Sequence, residues 1–504
     1  LQSGTALLVV APTLLVLYHE YMTRVFFSAL LALSATSIAC SSAGPNQGEA
    51  GSSSGAGVTT TAGAPAVGGG HAGAGEANAG EAGLVDSGGS AGAAGSLGVA
   101  GSSGAAGSLG AAGSTGAAGA GGMAHPVNFE KIQLNPDFYS EGINYGDLNH
   151  DGTPDIIAGA FWYPGPSYAD KLAFREPAAM PFDKGGDSDC YAIFPYDLNG
   201  DGWQDVLSFR QLGGAEAVWY ENPKGASGYW KEHVVFESVN DESPAFVDMD
   251  GDGKPELVTV SNGYGGWAVP DWSHPENPWS FRNITANGGW MSFTHGLGAS
   301  DVNGDGRKDL LLSEGWWEQP AVLSDAPWVK HDAKFWAQED TQETYGGAQM
   351  FAYDVDGDGD NDVVTSLQAH AWGLAWFENQ GGNFVEHMIV DNRDDEAEYG
   401  GVAFAQLHAL AIGDIDGDGL TDFVTGKRKG AHGNGLGAEL DEPAVLYWFK
   451  LVRETGKLPH FEPHLIDSEA GIGTQVIIAD IDGNGFPDIL TAARAGAFVF
   501  WNGR

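Results

Sequence analysis

An all-β, seven-bladed β-propeller is the fold the sequence predicts, and three observations predict it. A nine-residue acidic loop recurs seven times, starting at Asp147, Asp197, Asp248, Asp301, Asp354, Asp414 and Asp480. Successive starts lie 50, 51, 53, 53, 60 and 66 residues apart, and a period near 50 is the mark of a propeller or another repeat array. Each copy stands between two apolar runs of strand length, so the loop is a turn between strands.

Four runs recur in the same order along the repeats. An apolar first strand enters the loop, as in 410–413 and 476–479. A second leaves it, as at 206–207, 310–312 and 489–490. The third is aromatic: 161–163, 218–220, 316–317, 375–377, 446–449 and 498–501. The fourth alternates polar residues around an aromatic, at 229–235, 328–331, 384–389 and 461–466. Four short strands per repeat match a propeller blade. The seventh repeat stops after its third strand, at Trp501, while an orphan strand of the fourth kind, Val127–Leu134, precedes the first. The N-terminal strand is therefore expected to complete the last blade, which removes two exposed edges.

The loop Asp414-Ile-Asp416-Gly-Asp418-Gly-Leu-Thr-Asp422 explains the acid content. Gly417 and Gly419 let the backbone coil through positive φ, so carboxylates at positions 1, 3, 5 and 9 converge. A hard cation taking six to eight oxygens at about 2.3–2.6 Å suits such a loop, and calcium is the expected occupant. It is not an EF-hand, because a ninth-position aspartate and a β-strand replace the glutamate and helix. The candidate ligands are Asp147, Asn149, Asp151 and Asp155; Asp197, Asn199, Asp201 and Asp205; Asp248, Asp250, Asp252 and Glu256; and Asp301, Asn303, Asp305 and Asp309. The later repeats add Asp354, Asp356, Asp358 and Asp362; Asp414, Asp416, Asp418 and Asp422; and Asp480, Asp482, Asn484 and Asp488. Loops with asparagine carry less charge and are expected to bind more weakly.

These DxDGDGxxD loops between paired strands resemble the FG-GAP, or VCBS-type, propeller repeats of integrin heads and bacterial surface proteins. The resemblance covers 127–504 and implies a calcium-binding propeller. It does not assign a function, because one fold hosts adhesion, lectin and enzyme activities.

Composition divides the chain. The protein has 504 residues and a formal net charge of −44, and residues 126–504 hold 62 of its 67 acids against 22 of its 23 bases. That sign excludes nucleic acid as a partner and opposes adsorption to an anionic membrane. Residues 1–40 read as a signal region: Met22, Arg24, the apolar run 25–39 and Cys40 make an export signal. Ser37-Ile-Ala39-Cys40 resembles a bacterial lipobox, so the expectation is an outer-membrane or cell-surface lipoprotein, or else a secreted protein with an ordinary cleaved signal. Membrane contact is expected only through that lipid. Residues 41–125, rich in Gly, Ala and Ser, are expected to be a flexible tether with a reach of roughly 50 Å. With Cys40 lipidated, Cys190 has no partner and no disulfide framework holds the domain. A monomer is expected.

If the acidic loops occupy one face, the residues before each first strand and after each second strand share the other. That face collects Asp187, Asp189, Arg210, Glu242, His295, Glu314, His370, His408, Lys427, Arg428, His432, Thr474, Gln475 and Arg494. The sixth repeat inserts the basic stretch Gly426-Lys-Arg-Lys-Gly-Ala-His432. His408, Lys427, Arg428 and His432 are accordingly the candidate catalytic or ligand-contacting residues, since Arg pairs with carboxylates and neutral His acts as a base. The stretch from Gly426, with 471–475, is similar to propellers of carbohydrate-active proteins such as aldos-2-ulose dehydratase. Two readings follow: a calcium-stabilised binding or adhesion propeller for a carbohydrate or protein ligand, and a carbohydrate lyase or dehydratase working at the rim. Histidines clustered for a metal would favour the enzyme.

Overall fold

The computed structural model describes residues 125–177, 187–210, 215–337, 346–430, 438–439 and 441–503. Residues 1–124, with Met22 and Cys40, and also His432 lie outside the described residues. Seven four-stranded antiparallel sheets form the seven blades of a β-propeller. In blade six the strands are Leu410–Gly413, Asp422–Gly426, Leu446–Val452 and His460–Asp467, hydrogen-bonded in that order from the axis outward. The acidic loop spans the first hairpin, whose register runs from Leu410↔Thr425 to Gly413↔Asp422. Among the described residues the only helical element is a 3₁₀ turn, Glu396–Glu398.

The last blade is built from both chain ends. Phe129–Asn135 pairs with Gly496–Asn502 in a register from Phe129↔Asn502 to Gln133↔Phe498, two residues later at its start than the sequence suggested. Lys131 Nζ then reaches Asp467 at 2.8 Å on the outer strand of blade six. Apolar side chains fill the space between neighbouring blades. Ile143 and Ile156 of blade one pack with Leu490 and Trp501 of blade seven, which closes the ring. Burying such side chains contributes about 1.5–3 kcal/mol each.

The ninth loop residue has a structural task in every blade. Asp205 Oδ2 accepts from Leu198 N at 3.1 Å, and its Oδ1 accepts from Asn222 N at 2.7 Å. One carboxylate thus ties the start of the loop to the end of the third strand. Asp155, Asp309, Asp362, Asp422 and Asp488 repeat both bonds in their own blades, and Glu256 accepts from Met249 N. First-position acids curl the loop itself: Asp414 accepts from Gly417 N at 2.8 Å and Gly419 N at 2.9 Å. Gly419 has φ +88 with open space where a Cβ would stand, so glycine is required there by conformation and not by crowding.

Burial pushes these ninth-position carboxyls up, to about 6 in Asp155, Asp362 and Asp488, about 7 in Asp309 and Asp422, and about 8 in Asp205 and Glu256. A carboxyl raised in the folded state holds a proton that the unfolded chain has released, so its contribution is present below about pH 4 and is lost as pH rises through 6–8. In chelator, the melting temperature is therefore expected to fall from pH 5 to pH 8, and Glu256→Gln to flatten that slope. A metal-free melting temperature that rises over this window would contradict the assignment.

Candidate functional site

The residues before the first strands and after the second strands meet on the axis, at the face away from the acidic loops. His295 leads into Leu297–Ser300 of blade four and His408 into Leu410–Gly413 of blade six, while His370 follows Asp362–Ser366 of blade five. Their rings lie 4.8, 5.5 and 5.0 Å apart, centroid to centroid. Each offers one ring nitrogen within 4.8 Å of the others. His408 is 1% exposed; its Nδ1 sits 3.3 Å from the Gln406 carbonyl, and its Nε2 has no hydrogen-bond partner. Burial, then the charge of Arg428, holds the His408 imidazole well below its usual pKa. It is neutral, with Nδ1–H donated to the carbonyl and the Nε2 lone pair directed elsewhere. Glu242 Oε2 lies 3.3 Å from His295 Nε2, close enough for charge pairing but outside hydrogen-bond geometry; a small turn of either group would give the carboxylate–histidine pair that orients metal-ligating imidazoles. Three converging imidazoles, one with a fixed tautomer and two with nitrogens that lack a hydrogen-bond partner, His295 and His408, fit a zinc-type ion with an open coordination position.

Arg428 stands beside the histidines inside a cage of acids. Its Nε is 2.7 Å from Glu141, Nη2 is 3.3 Å from Asp187 and Nη1 is 3.5 Å from Glu242. Arg428 and Glu242 are 1% and 2% exposed and Glu141 is fully buried, so this is a charge network in a low-dielectric setting. Burial would raise the Glu242 carboxyl, but His295 and Arg428 outweigh it and bring it down to about 2. Its neighbour Asp241 goes the other way: burial lifts it to about 7, against the Ser243 N–H that it accepts. Both Glu242 oxygens, Asp241 Oδ2 and Arg428 Nη1 are buried without a hydrogen-bond partner. Such groups are costly to leave unmet, and water or a polar ligand would meet them.

The other predicted rim residues divide by role. Lys427 is fully buried; its Nζ donates to the Glu439 carbonyl and lies 3.4 Å from the Glu439 carboxylate. Burial pulls its pKa down while Glu439 opposes that. The basic face expected from Lys427 and Arg428 is thus neutralised from within. Asp189 makes a two-pronged pair with Arg175 at 2.9 and 2.7 Å, and Arg210 pairs with Glu232. Glu314 is exposed in the hairpin turn of blade four. Gln475 Oε1 accepts from Ile143 N and Ile193 N, and Thr474 Oγ1 donates to Tyr191 O, so this pair stitches blades seven, one and two. Gln349 does the same for blades five, six and seven, bonding Leu410 N and Thr474 O. Sequence reasoning missed Glu141, Asp241 and Gln349. All three occupy the position rule already applied to Glu242, a few residues before a first strand, and applying it to every blade would have found them.

On the opposite face, four loops bring three carboxylates together with one oxygen each within 4.8 Å: Asp248, Asp250 and Glu256; Asp354, Asp356 and Asp362; Asp414, Asp416 and Asp422; Asp480, Asp482 and Asp488. Several loops already hold a side-chain cation. Lys450 sits on Asp416 and Asp418 and is pushed up to about 12 by them against the opposing effect of burial. Lys224 lies 3.1 Å from Asp201, and Arg307 pairs with Asp305.

Removing Arg428 would leave Glu141 and Glu242 buried with no cation. Arg428→Met is expected to cost about 3–5 kcal/mol of unfolding free energy, read by urea denaturation. Adding Glu141→Gln and Glu242→Gln should restore a large part of that loss. A single variant as stable as the wild type would show that the cage carries no charge balance.

A model of the FG-GAP-like repeat matches residues 197–259 and 248–312, spans that include the acidic loops of blades two, three and four. No curated protein matches the sequence. Among solved structures, a lectin from Burkholderia pseudomallei is similar at 15% identity and TM-score 0.36, over 72% of this chain and 95% of the lectin. The exotype rhamnogalacturonan lyase YesX is similar at 12% identity and TM-score 0.37, over 75% of each chain. A rhamnogalacturonan lyase from Bacillus licheniformis is similar at 12% identity and TM-score 0.33, over 74% of this chain and 75% of the lyase.

Proposed function

We propose that this propeller is a carbohydrate-active lyase or dehydratase whose site is the histidine cluster at the mouth of the axis. The observation that carries the reading is the convergence of His295, His370 and His408, with ring nitrogens of His295 and His408 left without a hydrogen-bond partner, beside two carboxyls of opposite proton affinity. A zinc-type ion held there would supply Lewis acidity toward a carbonyl or hydroxyl oxygen of the substrate. The chain's own groups divide the remaining work. Glu242, ionised, orients His295. Asp241, with a carboxyl near neutrality, is suited to take a proton from the carbon next to the carbonyl and to return it to the departing oxygen. In that elimination the C–H electron pair becomes a C=C bond, the β C–O bond breaks, and water or an alcohol leaves. Packed carboxylates and a guanidinium match a polyhydroxylated ligand, which presents donors and acceptors on one skeleton.

Calcium in the acidic loops belongs to the same reading. The all-oxygen donor sets of blades three, five, six and seven fit a hard cation, whose charge would offset the carboxylates that burial otherwise keeps protonated. Loop six, with acids at all four positions, already carries Lys450, so a side-chain ammonium competes with an ion there. The export signal ending at Cys40 and the Gly/Ala/Ser segment support an extracytoplasmic, tethered setting.

The test is incubation of zinc-loaded protein with ketoses, aldosuloses, neutral oligosaccharides and oligouronates, followed by mass spectrometry for loss of water or chain cleavage to an unsaturated product. Turnover should vanish on chelation and in His408→Ala. It should drop about 10²-fold or more in Asp241→Asn at unchanged melting temperature. Saturable sugar binding with no product in any variant would replace the enzyme with a binding module.

A further inference from the structure

The loops that build the histidine cluster also wall an open cavity of about 550 Å³. His370 and Trp372 lie on one connection, between Asp362–Ser366 and Leu374–Asn379 of blade five. His370 O accepts from Ala438 N at 3.0 Å, Ala371 O from Gln406 N at 2.9 Å, and Gln406 O from Arg428 N at 2.9 Å. That backbone chain places Trp372 and Glu439 on the far side of the same loops that hold His370, His408 and Arg428. Trp372, Asn392, Arg393, Asp394, Asp441 and Glu442 line the cavity, and its inner wall is Glu439. The Glu439 carboxylate is held from three directions: Lys427 and Arg393 both pair with it, and Ala405 N donates to it at 3.1 Å.

Charge and shape then select the occupant. Among the described lining residues Arg393 is the one cation, and it is already shared among Glu439, Glu396 at 3.7 Å and Glu442 at 3.8 Å. Asp394 and Asp441 are exposed and leave the cavity with a negative surplus. A carboxylate-bearing sugar is repelled there, whereas hydroxyls find acceptors. Trp372 is half-buried and lines the cavity, and an indole face, with its negative quadrupole, attracts the polarised C–H groups of a pyranose. The volume falls in the range of about 300–1,000 Å³ typical of small-molecule sites.

We propose that this cavity is a sugar subsite flanking the histidine cluster, in which Trp372 stacks on a neutral pyranose and the acidic rim excludes uronates. The proposal rests on the carbohydrate reading above but not on the metal. It is tested on a glycan array bearing neutral oligosaccharides and oligouronates, with the whole protein kept in chelator so that the histidine site does not contribute. Neutral glycans should bind, Trp372→Ala should weaken that binding about ten-fold or more, and Trp372→Phe should keep most of it. Asp394→Asn with Asp441→Asn should admit oligouronates. Equal binding by Trp372→Ala, tighter binding of oligouronates to the wild type, or no bound glycan at all would overturn the subsite. Lost elimination activity with this array pattern intact would count against the metal reading alone.

Discussion

A single buried carboxylate at the ninth loop position holds each blade in shape. It accepts backbone N–H groups at the start of the acidic loop, and in six blades also at the end of the third strand. A hairpin, a loop and an outer strand thereby become one unit. Buried backbone donors must be met, and an acid meets two of them with one side chain. The same burial makes the acid reluctant to ionise, and the carboxylates at positions 1, 3 and 5 add to that reluctance. The loops therefore combine a hydrogen-bonding solution with an electrostatic problem that a cation, whether an ion or Lys450, relieves.

Locking the turns on one face leaves the other face free to carry longer connections, and there the buried histidines and the Arg428 cage collect. The first strands line the axis, so the residues just before them converge from every blade. Arg428 shows what this convergence costs and allows. Three carboxylates from three other parts of the chain surround it, and none of these groups reaches solvent freely except Asp187. Breaking such a network by removing one partner is expensive, so the cage fixes the positions of Glu242 and, through it, His295. Precision at the histidine cluster is thus inherited from the ionic cage beside it.

The fold was legible because its signal repeats. One acidic loop would be ambiguous surface, while seven at a steady period specify the ring, and the orphan strand near Phe129 specifies its closure. Elements without the pattern were not legible. The third and fourth strands of blade three, Tyr264–Val269 and Ser280–Asn283, escape it because Gly265 and Gly266 replace apolar residues. A Cβ at Gly266 would meet the Arg282 carbonyl at 2.1 Å, so close strand approach dictates the glycine. The histidines were legible as a set, from topology and not from spacing. Their partners were less so, since Arg428 and Glu141 are 287 residues apart and no local pattern joins them. Lys427 illustrates the limit: a lysine in a basic run reads as a ligand contact, yet burial and Glu439 consume its charge.

The central claim is that the axial histidines, and not only the acidic loops, form a metal site. Crystals grown with zinc and calcium, with anomalous diffraction collected on both sides of the zinc absorption edge, test it directly. The account predicts an edge-dependent peak within bonding distance of His295, His370 and His408 that disappears in His408→Ala. Edge-dependent peaks confined to the acidic loops, with none among the three histidines, would contradict it.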